Sequence, residues 1–256
     1  MVRVAITGIN GRMGTMVTDI VLSQPDMELV AGFDLTGGRQ VGPINVSCIK
    51  DIDHVLKTVK PDVLIDFTIA AAAVQNVKAA AANGVNVLVG TTGFDESQKK
   101  EMEAAIKASG VAAIITPNFS VGVQVFLKLL AEAAKNLEGC DIEIIEAHHN
   151  KKKDAPSGTA LKAAEVISGA LSERPKLIYG REGVAPRGKE IGIHAVRGGD
   201  IVGDHTVLFA CEGERIEIKH QAHSRSAFAS GAVKAARWIV NQKPGMYSTS
   251  DMVKSR

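Results

Sequence analysis

The sequence predicts an α/β protein in which an N-terminal Rossmann-like, doubly wound parallel sheet carries an inserted α+β domain built on a mixed sheet. Three observations predict this fold class. Short apolar runs alternate with helical stretches through the first half, which is typical of a parallel sheet wound on both faces. A glycine-rich turn follows the first run. After Pro117, polar and apolar residues alternate, as in Ile216-Glu217-Ile218-Lys219, which indicates strands with one apolar face.

The first half contains the predicted parallel strands. They are the apolar runs at 2–7, 28–33, 62–67, 85–89 and 111–116. One predicted helix runs from Met13 to Val21 and ends before Pro25. An alanine-rich helix at 70–83 ends before Gly84, and a third helix lies between Asp95 and Gly110. This order predicts right-handed strand-helix-strand units that share one sheet.

The second half combines helices with alternating strands. A long apolar helix is predicted at about 121–137, a strand at 141–146, then a further helix, and a closing helix at about 226–240. Ile191, Ile193 and Ala195 share one strand face, which requires a covering layer or another subunit. We expect a dinucleotide-binding domain at 1–118 plus 229–256, and a substrate-binding and oligomerisation domain at 119–228.

Composition argues against several classes of protein. The formal net charge of the 256 residues is only +2, which gives no general case for nucleic-acid binding. The start of the chain lacks a signal-peptide pattern, and no apolar run approaches the roughly 20 residues that span a bilayer. The odd number of cysteines favours reduced thiols that pack as small apolar side chains: Cys48, Cys140 and Cys211. We expect a cytoplasmic protein with no membrane partner.

The turn Gly8-Ile9-Asn10-Gly11-Arg12-Met13-Gly14 joins the first strand to the first helix. Glycines at this place let backbone amides approach a pyrophosphate, which the helix N-terminus also attracts. Asp34 ends the second strand, where a carboxylate can accept hydrogen bonds from adenosine ribose hydroxyls and repel a 2′-phosphate. This favours NADH, although Arg12 and Arg39 are near enough in sequence to bind that phosphate. A turn without a ligand is the structural alternative.

Two further loops follow predicted strands. Gly90-Thr91-Thr92-Gly93 follows the run at 85–89, and Thr116-Pro117-Asn118-Phe119 follows the run at 111–116. Ligands of open α/β sheets lie beyond the carboxyl ends of the strands, so both loops are expected to flank a nicotinamide. Taken alone, each loop is equally compatible with a structural turn.

The segment from Glu146 to Thr159 follows a predicted strand and precedes a helix. Ser157, Gly158 and Thr159 would place amides and hydroxyls at the start of that helix, where anions bind. Two histidines, His148 and His149, and three lysines add positive charge and groups that donate protons near pH 7. The segment therefore predicts a pocket for a carboxylate or a phosphate.

Other interpretations of these residues stay open. Lys151 and Lys153 fit a solvated loop. The adjacent histidines lack further ligands at metal-binding spacing, so no metal site is predicted, and Ser157 lacks the glycine-flanked elbow of a hydrolase nucleophile. Arg197 either belongs to a turn or meets a substrate carboxylate. The remaining histidines are expected to be structural: His54, His194, His205, His220 and His223.

At these residues the chain closely resembles the dihydrodipicolinate reductase family of lysine and diaminopimelate synthesis, over essentially its full length. The matching segments are 8–14, 66–68, 90–94, 118–122, 196–200, 203–205 and, most specific of all, 146–159. The resemblance implies reduction of a small dicarboxylate, 4-hydroxy-tetrahydrodipicolinate, to tetrahydrodipicolinate by NADH or NADPH. It also implies a homotetramer built through the sheets of the substrate domain, which would bury the apolar strand faces.

The resemblance further implies roles for particular residues. His148 would be the catalytic acid/base and Lys152 a proton donor, while His149, Gly158 and Thr159, next to Ser157, would hold the substrate carboxylates. The cofactor would be lined by Gly8, Ile9, Asn10, Gly11, Arg12, Met13, Asp34, Gly90, Thr91, Thr92, Thr116, Pro117, Asn118 and Phe119. Leu35 and Ile69 stand where the family often has arginines that bind a 2′-phosphate, so NADH is favoured and NADPH stays open.

Two other classes of protein remain as alternatives. One is another Rossmann oxidoreductase, such as an amino-acid or semialdehyde dehydrogenase, although none of the cysteines lies in a catalytic context. The other is a non-catalytic, nucleotide-sensing protein. Such a protein would not need His148 and Lys152 beside an anion-binding helix start.

Overall fold

The computed structural model describes residues 1–254, in which strands and helices alternate along the first half of the chain. The elements of this half are β1 (Val2–Thr7), α1 (Arg12–Leu22), β2 (Met27–Asp34), β3 (Gln40–Val41), β4 (Ile44–Asn45), β5 (Ser47–Cys48), α2 (Ile52–Val59), β6 (Val63–Asp66), α3 (Ala70–Ala82), β7 (Asn86–Val89), α4 (Glu96–Ser109) and β8 (Ala112–Ile115). A short 3-10 turn, Ile49–Asp51, precedes α2.

The remaining elements are α5 (Val121–Asn136), β9 (Asp141–His148), α6 (Gly158–Ala170), β10 (Lys176–Tyr179), β11 (Glu190–Arg197), β12 (Gly203–Cys211), β13 (Glu214–Ala222), α7 (Ser226–Ile239), β14 (Gly245–Tyr247) and α8 (Thr249–Lys254). Among residues 1–254, none of the helices combines the length and the apolar character that crossing a bilayer requires. The chain forms two units, Met1–Val121 with the chain from Ser226 on, and Gly122–Arg225. The functions predicted for the two domains stay predictions.

The first unit is built on a seven-stranded parallel sheet with the strand order β14-β8-β7-β6-β1-β2-β5. Its central strands are apolar because helices cover both faces of the sheet. Val4 and Ile6 pack with residues of α1 and α7, whereas Ala5 and Leu64 pack with residues of α2, α3 and α4. This confirms the predicted Rossmann-like fold. The sequence did not predict α2 or the edge strands β5 and β14.

The second unit is a five-stranded mixed sheet with the order β10-β11-β9-β12-β13, in which β12 runs antiparallel to both of its neighbours. One face carries apolar residues such as Ile144, Val207 and Phe209, and they pack with residues of α5 and α6. The layer that covers the apolar strand faces is therefore supplied by the chain's own helices. Ile191 and Ile193 are buried within one chain, whereas Ala195 and Ile216 are exposed, so the expected burial of apolar strand residues in a tetramer stays a prediction.

A disulfide joins Cys140 to Cys211 in this unit, and only Cys48 is a free cysteine among the described residues. The prediction of three reduced thiols was therefore wrong for two of them. Asp141 pairs with Ala210, so the residues just outside this pair come within 4.5 Å of each other between Cα atoms. A separation of 71 residues gives no sign of this in the sequence, because the pairing depends on strand register.

Candidate active site

The glycine-rich turn lies at the carboxyl end of β1, where close packing leaves little room for side chains. Gly8 has a φ of +70°, a left-handed conformation that favours glycine. A Cβ atom on Gly14 would lie 2.0 Å from the carbonyl oxygen of Gly8, so only glycine allows α1 to start this close to the turn. The amides of Gly8 and Ile9 donate to the carbonyl oxygen of Phe33, at 2.9 and 3.2 Å. Such a turn at a helix N-terminus fits a pyrophosphate.

Asp34, at the end of β2, is bonded to this turn. Its Oδ2 accepts a hydrogen bond from the amide of Asn10 at 2.9 Å, and its Oδ1 accepts one from the amide of Leu35 at 2.8 Å. The guanidinium of Arg39 donates to Oδ1 of Asn10 at 3.0 Å. The remaining lone pairs of the Asp34 carboxylate are suited to ribose hydroxyls. The structure thus brings Asp34, Asn10 and Arg39 together, while Gly11 caps α1 and Arg12 begins it.

The loops at 90–92 and 116–119 lie at the same edge of the sheet, because β7 and β8 run parallel to β6. The amide of Thr116 donates to the carbonyl oxygen of Val89 at 2.9 Å, which links the two loops. Within the second loop, the amide of Asn118 donates to the hydroxyl of Thr116 at 3.2 Å. Thr92 and Pro117 are exposed. The sheet therefore gathers the predicted nicotinamide loops at the edge that carries the glycine-rich turn.

Phe67, which follows β6, lies among these loops. Its ring meets that of Phe119 edge-on, with 6.2 Å between the ring centroids. A Cβ atom on Gly90 would lie 2.0 Å from this ring, so the glycine allows the close approach. Thr91 is buried, and its hydroxyl donates to Oδ1 of Asp66 at 2.6 Å. These contacts hold the loops after β6, β7 and β8 in fixed positions.

The second unit carries a cluster of ionisable side chains at the carboxyl end of β9, on the buried face of the sheet. Side chains alternate along β9, so Glu146 and His148 point to the same face as its apolar residues. The register sets His205 of β12 opposite Glu146, and His220 of β13 opposite His205. The apolar core therefore gives way, at this end of the sheet, to a carboxylate and three imidazoles.

Glu146 is fully buried and is held on all sides by donors. Arg197, on β11, donates to each carboxylate oxygen at 2.8 Å, the amide of Ser157 donates at 3.0 Å, and Nδ1 of His148 donates at 2.6 Å. Because a carboxylate only accepts hydrogen bonds, Nδ1 must carry a proton, and Nε2 is the nitrogen available for chemistry. A Cβ atom on Gly203 would lie 3.0 Å from Nε2, so the glycine leaves space there.

The pKa values of this pair move in the same direction for different reasons. Burial raises the pKa of Glu146, but hydrogen bonds from Arg197, His148 and Ser157 bring it below its usual value. Burial lowers the pKa of His148 by more than the hydrogen bond and the charge of Glu146 raise it, and the charge of Lys152 lowers it further. At neutral pH the pair is therefore a carboxylate and a mostly neutral imidazole. A bound anion would favour the imidazolium.

Lys152 lies in the loop after β9, and its charge adds to burial in lowering the pKa of His148. The ammonium of Lys152 forms an ion pair with Asp154 at 2.9 Å, and its amide donates to the carbonyl oxygen of His149 at 3.1 Å. His149 is half-buried, and its Nδ1 has no partner among the described residues. Lys153 is exposed, as expected for a solvated lysine.

The helix α6 begins next to the same cluster. Ser157 is its N-cap, and the Ser157 hydroxyl accepts a hydrogen bond from the amide of Ala160 at 3.2 Å. Gly158 and Thr159 form the first turn, where the amides have no intrahelical carbonyl to bond and carry the positive end of the helix dipole. Ser157 bonds both to Glu146 and to this turn, so the predicted anion site stands beside the Glu146–His148 pair.

Sequence reasoning did not predict that Arg197 contacts Glu146 or that His205, expected to be structural, contacts Ser157. Arg197 was expected in a turn or at a substrate carboxylate, but it pairs with Glu146 instead. His205 is buried, its ring centroid lies 5.2 Å from that of His148, and its Nε2 lies 3.1 Å from the Ser157 hydroxyl. Burial lowers the pKa of His205 to about 4, so it is neutral at neutral pH. The sequence did contain one indication of such a partner. Glu146 alternates in step with the buried residues of its strand, and a buried carboxylate needs a cation nearby.

Within residues 1–254, no group of three or more histidine, cysteine or acidic side chains is arranged to hold a metal ion. The second unit does bring together imidazoles, the ammonium group of Lys152 and the first amides of α6. Groups of these kinds can bind anions and transfer protons.

Comparison with known proteins places both units in one family. The family models described as "Dihydrodipicolinate reductase, N-terminus" and "Dihydrodipicolinate reductase, C-terminus" match residues 2–119 and 122–253. The 4-hydroxy-tetrahydrodipicolinate reductase of Methanococcoides burtonii is 56% identical over 100% of both chains. That of Methanocaldococcus jannaschii is 51% identical over 99% of this chain and 97% of its own. A dipicolinate-bound dihydrodipicolinate reductase from Paenisporosarcina sp. TG-14 is similar in structure, with a TM-score of 0.80 and 29% identity over 97% of each chain.

Proposed function

This chain belongs to the dihydrodipicolinate reductase family, and on that premise we propose that His148 and Lys152 are its proton donors and that the start of α6 binds its substrate. The enzyme reduces 4-hydroxy-tetrahydrodipicolinate to tetrahydrodipicolinate with a nicotinamide nucleotide, in lysine and diaminopimelate synthesis. Family membership removes both alternatives, the unrelated Rossmann dehydrogenase and the non-catalytic nucleotide sensor.

The hydrogen bond between Glu146 and Nδ1 of His148 is the observation that carries the proposed roles. It fixes the imidazole so that Nε2 is the nitrogen that exchanges protons with a ligand. Burial keeps the pKa of His148 low in the free enzyme. A dicarboxylate bound at the adjoining helix start would raise that pKa, so the imidazolium forms when the substrate is present.

The reaction needs one proton for each hydride. The cofactor, when bound, supplies the hydride to a conjugated carbon of the cyclic substrate, whose hydroxyl group is lost as water. His148 donates the proton that balances the hydride, through Nε2. A positioned acid of this kind accelerates a reaction roughly 100- to 10,000-fold, or by about 3 to 5 kcal/mol of barrier. The departing hydroxyl also takes up a proton while the ring loses one, so the loss of water consumes no proton overall, and the ammonium of Lys152 is the proposed donor to that hydroxyl.

The carboxylates of the substrate are bound by the start of α6 in this proposal. Ser157 fixes the first turn as its N-cap, and Gly158 and Thr159 supply amides at the positive end of the helix dipole. His149 supports the same role, because its half-buried Nδ1 has no protein partner among the described residues. The related enzyme from Paenisporosarcina sp. TG-14 binds dipicolinate, a planar dicarboxylate of the same kind.

We further propose that NADH is preferred over NADPH. The carboxylate of Asp34 is oriented by the amides of Asn10 and Leu35, and it would repel a 2′-phosphate. Leu35 and Ile69 are exposed and apolar, so neither provides a cation for that phosphate. Arg39, which bonds to Asn10, and Arg12, which begins α1, are the cations that would support some use of NADPH.

We also propose a homotetramer in the cytoplasm, where this biosynthetic family normally works. Because the chain's own helices cover one face of the five-stranded sheet, the outer face is the surface left for subunit contact. Ile145 and Val196 are exposed there, at 40% and 47%. Sedimentation of the purified protein tests this assembly, and a monomer at micromolar concentration would contradict it.

Three variants test the proton donors: His148→Gln, Lys152→Ala and, as the control, Lys153→Ala. The substrate is generated in the cuvette from aspartate semialdehyde and pyruvate by the upstream synthase, and NADH absorbance reports turnover. We expect His148→Gln to lower kcat about 100-fold or more with little change in KM for NADH. Lys152→Ala lowers kcat and also raises KM for the substrate. Lys153→Ala remains near wild type. Near-normal turnover in both test variants would remove these roles.

A further inference from the structure

We propose that Asp66 is a positioning residue for the nicotinamide half of the cofactor, acting through the loops that follow β1, β6 and β7. This inference rests on the cofactor site proposed above and adds a residue to it. Asp66 acts through its neighbours, because its carboxylate is only 1% exposed and is bonded to residues of four separate elements of the chain.

The carboxylate of Asp66 is saturated with donors. The hydroxyls of Thr7 and Thr91 donate to it at 2.7 and 2.6 Å, and the side-chain amide of Asn76 donates at 2.8 Å. Thr68 donates twice, from its amide at 3.1 Å and from its hydroxyl at 2.9 Å. Thr7 ends β1, Asn76 lies on α3, and Thr68 and Thr91 lie in the loops after β6 and β7. One buried side chain therefore ties together the three strand ends and a helix.

All of these partners are neutral groups. A carboxylate buried among neutral donors carries a desolvation cost that a neutral side chain at the same place would avoid. An apolar residue would be sufficient to complete a strand in this core, as Val89 does at the end of β7. The desolvation cost of Asp66 is therefore explained by the loops that its carboxylate holds in place. The packing of the sheet does not require a carboxylate there.

The position of Asp66 in the sheet is where a ligand is expected. β6 is the central strand, and Asp66 pairs with Thr7 on one side and with Val89 on the other. The chain order reverses between β1 and β6, and the crevice outside such a switch point is where open α/β sheets bind their ligands.

Asp66 also fixes the direction of the hydrogen bonds in the loops. A carboxylate only accepts, so the hydroxyl of Thr91 must point its hydrogen at Asp66. The oxygen of Thr91 is then free to accept the amide of Thr68, which it does at 2.8 Å. Removing the charge from Asp66 would release this orientation and let the loops after β6 and β7 move independently.

Phe67, the residue after Asp66, contacts the other loops proposed to line the cofactor. A Cβ atom on Gly8 would lie 2.7 Å from the carbonyl oxygen of Phe67, and the Phe67 ring packs against Gly90 and Phe119. The glycine-rich turn and the loops at 90–92 and 116–119 therefore all touch one residue, which Asp66 and Thr68 hold from both sides. Asp34 takes no part in this network, because its bonds run to Asn10 and Leu35.

Because Asp34 lies outside the Asp66 network, a positioning role for Asp66 predicts a loss of affinity for the nicotinamide half alone. A general folding defect would weaken both halves of the cofactor. Binding of NADH and of ADP-ribose, which lacks the nicotinamide, is measured by calorimetry for Asp66→Asn, for Thr91→Val and for the control Thr18→Val. Thr18 is a buried threonine of α1 whose hydroxyl has no partner among the described residues. We expect Asp66→Asn to weaken NADH by about tenfold or more, while its affinity for ADP-ribose changes by less than about twofold. Thr18→Val leaves both affinities near wild type.

Thr91→Val keeps the inference open to refutation if Asp66→Asn does not fold. It removes the same hydrogen bond without adding a donor, and we expect it to show the same NADH-specific loss. In the double variant the losses should be clearly less than additive, because both changes release one contact. Equal weakening of NADH and ADP-ribose, or no weakening of either, would overturn the role of Asp66. Neither result would bear on the proposed proton donors, because their roles are tested separately by the kcat of His148→Gln.

Discussion

Replacing Glu146 by glutamine changes one buried atom and tests the core of the proposed chemistry. Glutamine has the same shape, but its amide nitrogen donates where the carboxylate accepts. In either orientation the new NH2 group faces a donor of Arg197, and in place of Oε2 it also faces Nδ1 of His148. The variant therefore loses the ion pair, and His148 keeps at most a bond to a neutral oxygen instead of a carboxylate.

The cost to stability follows from the Arg197 pair. Of the two 2.8 Å hydrogen bonds from Arg197, one is replaced by a clash between donors and the other loses the carboxylate charge. Removing one partner of a buried ion pair destabilises a protein by about 3 to 5 kcal/mol. The side chain of Arg197 is 18% exposed, so water partly solvates the unpaired cation. We expect the free energy of unfolding to fall by about 3 kcal/mol, towards the lower end of that range.

The effect on activity follows from His148. Loss of the oriented acid should lower kcat about 100-fold or more. The hydrogen bond and charge of Glu146 raise the pKa of His148, so without them this pKa falls further below its usual value. Activity that requires the imidazolium declines as the pH rises through that pKa. The decline must therefore begin at a lower pH in Glu146→Gln than in the wild type.

Urea unfolding and the pH dependence of kcat check these expectations, with Glu143→Gln as the matched control. Glu143 lies on the same strand with its side chain on the opposite face, where it pairs with Arg181, Arg187 and His194. The control should lose stability but keep the wild-type pH profile. If Glu146→Gln kept both the turnover and the pH profile of the wild type, Glu146 would not position His148.

Three further predictions concern other parts of the chain. Asp34→Ala should lower the ratio of kcat/KM with NADH to that with NADPH by about tenfold, and an unchanged ratio would remove Asp34 from the ribose site. Burial lowers the pKa of His205 from 6.5 in the unfolded chain to about 4 in the fold, so the folded state favours the neutral ring. The free energy of unfolding is therefore highest above pH 6.5 and falls as the pH is lowered towards 4. This amounts to about 3 kcal/mol at most, and urea unfolding at several pH values should show a smaller loss in His205→Gln. Reduction of Cys140–Cys211 by dithiothreitol should lower the free energy of unfolding by about 4 kcal/mol, given its 71-residue loop, and an unchanged melting temperature would contradict this.

The fold was predictable where strands are buried on both faces. β1, β6 and β7 read as short apolar runs because helices cover the sheet on both sides. The edge strands β5 and β14 have two and three residues, too few to carry a periodic signal, and α2 is only eight residues long. These elements were missed for that reason.

The site was predictable only where its residues are neighbours in sequence. The segment from Glu146 to Thr159 carries its own turn, lysines and helix cap, so its chemistry is visible in the sequence. Arg197 and His205 reach Glu146 and Ser157 through the register of β11 and β12 on β9. Arg197 is 51 residues from Glu146, and His205 is 48 residues from Ser157. Which residues of distant strands face each other is set by the folded sheet, and the residue pattern of a single strand does not predict it. The disulfide escaped prediction for the same reason.

The Cys140–Cys211 bond closes a covalent ring that contains most of the second unit. The long loop between β10 and β11 lies inside this ring, and Val184 at its middle is fully exposed. A protease that cuts there leaves His148 on one fragment and Arg197 on the other. The two fragments stay linked through sulfur, so the nicked protein runs as one band on a denaturing gel without reductant and as two bands with it. The activity of the nicked protein would show whether the proposed proton-transfer site needs an unbroken chain between His148 and Arg197.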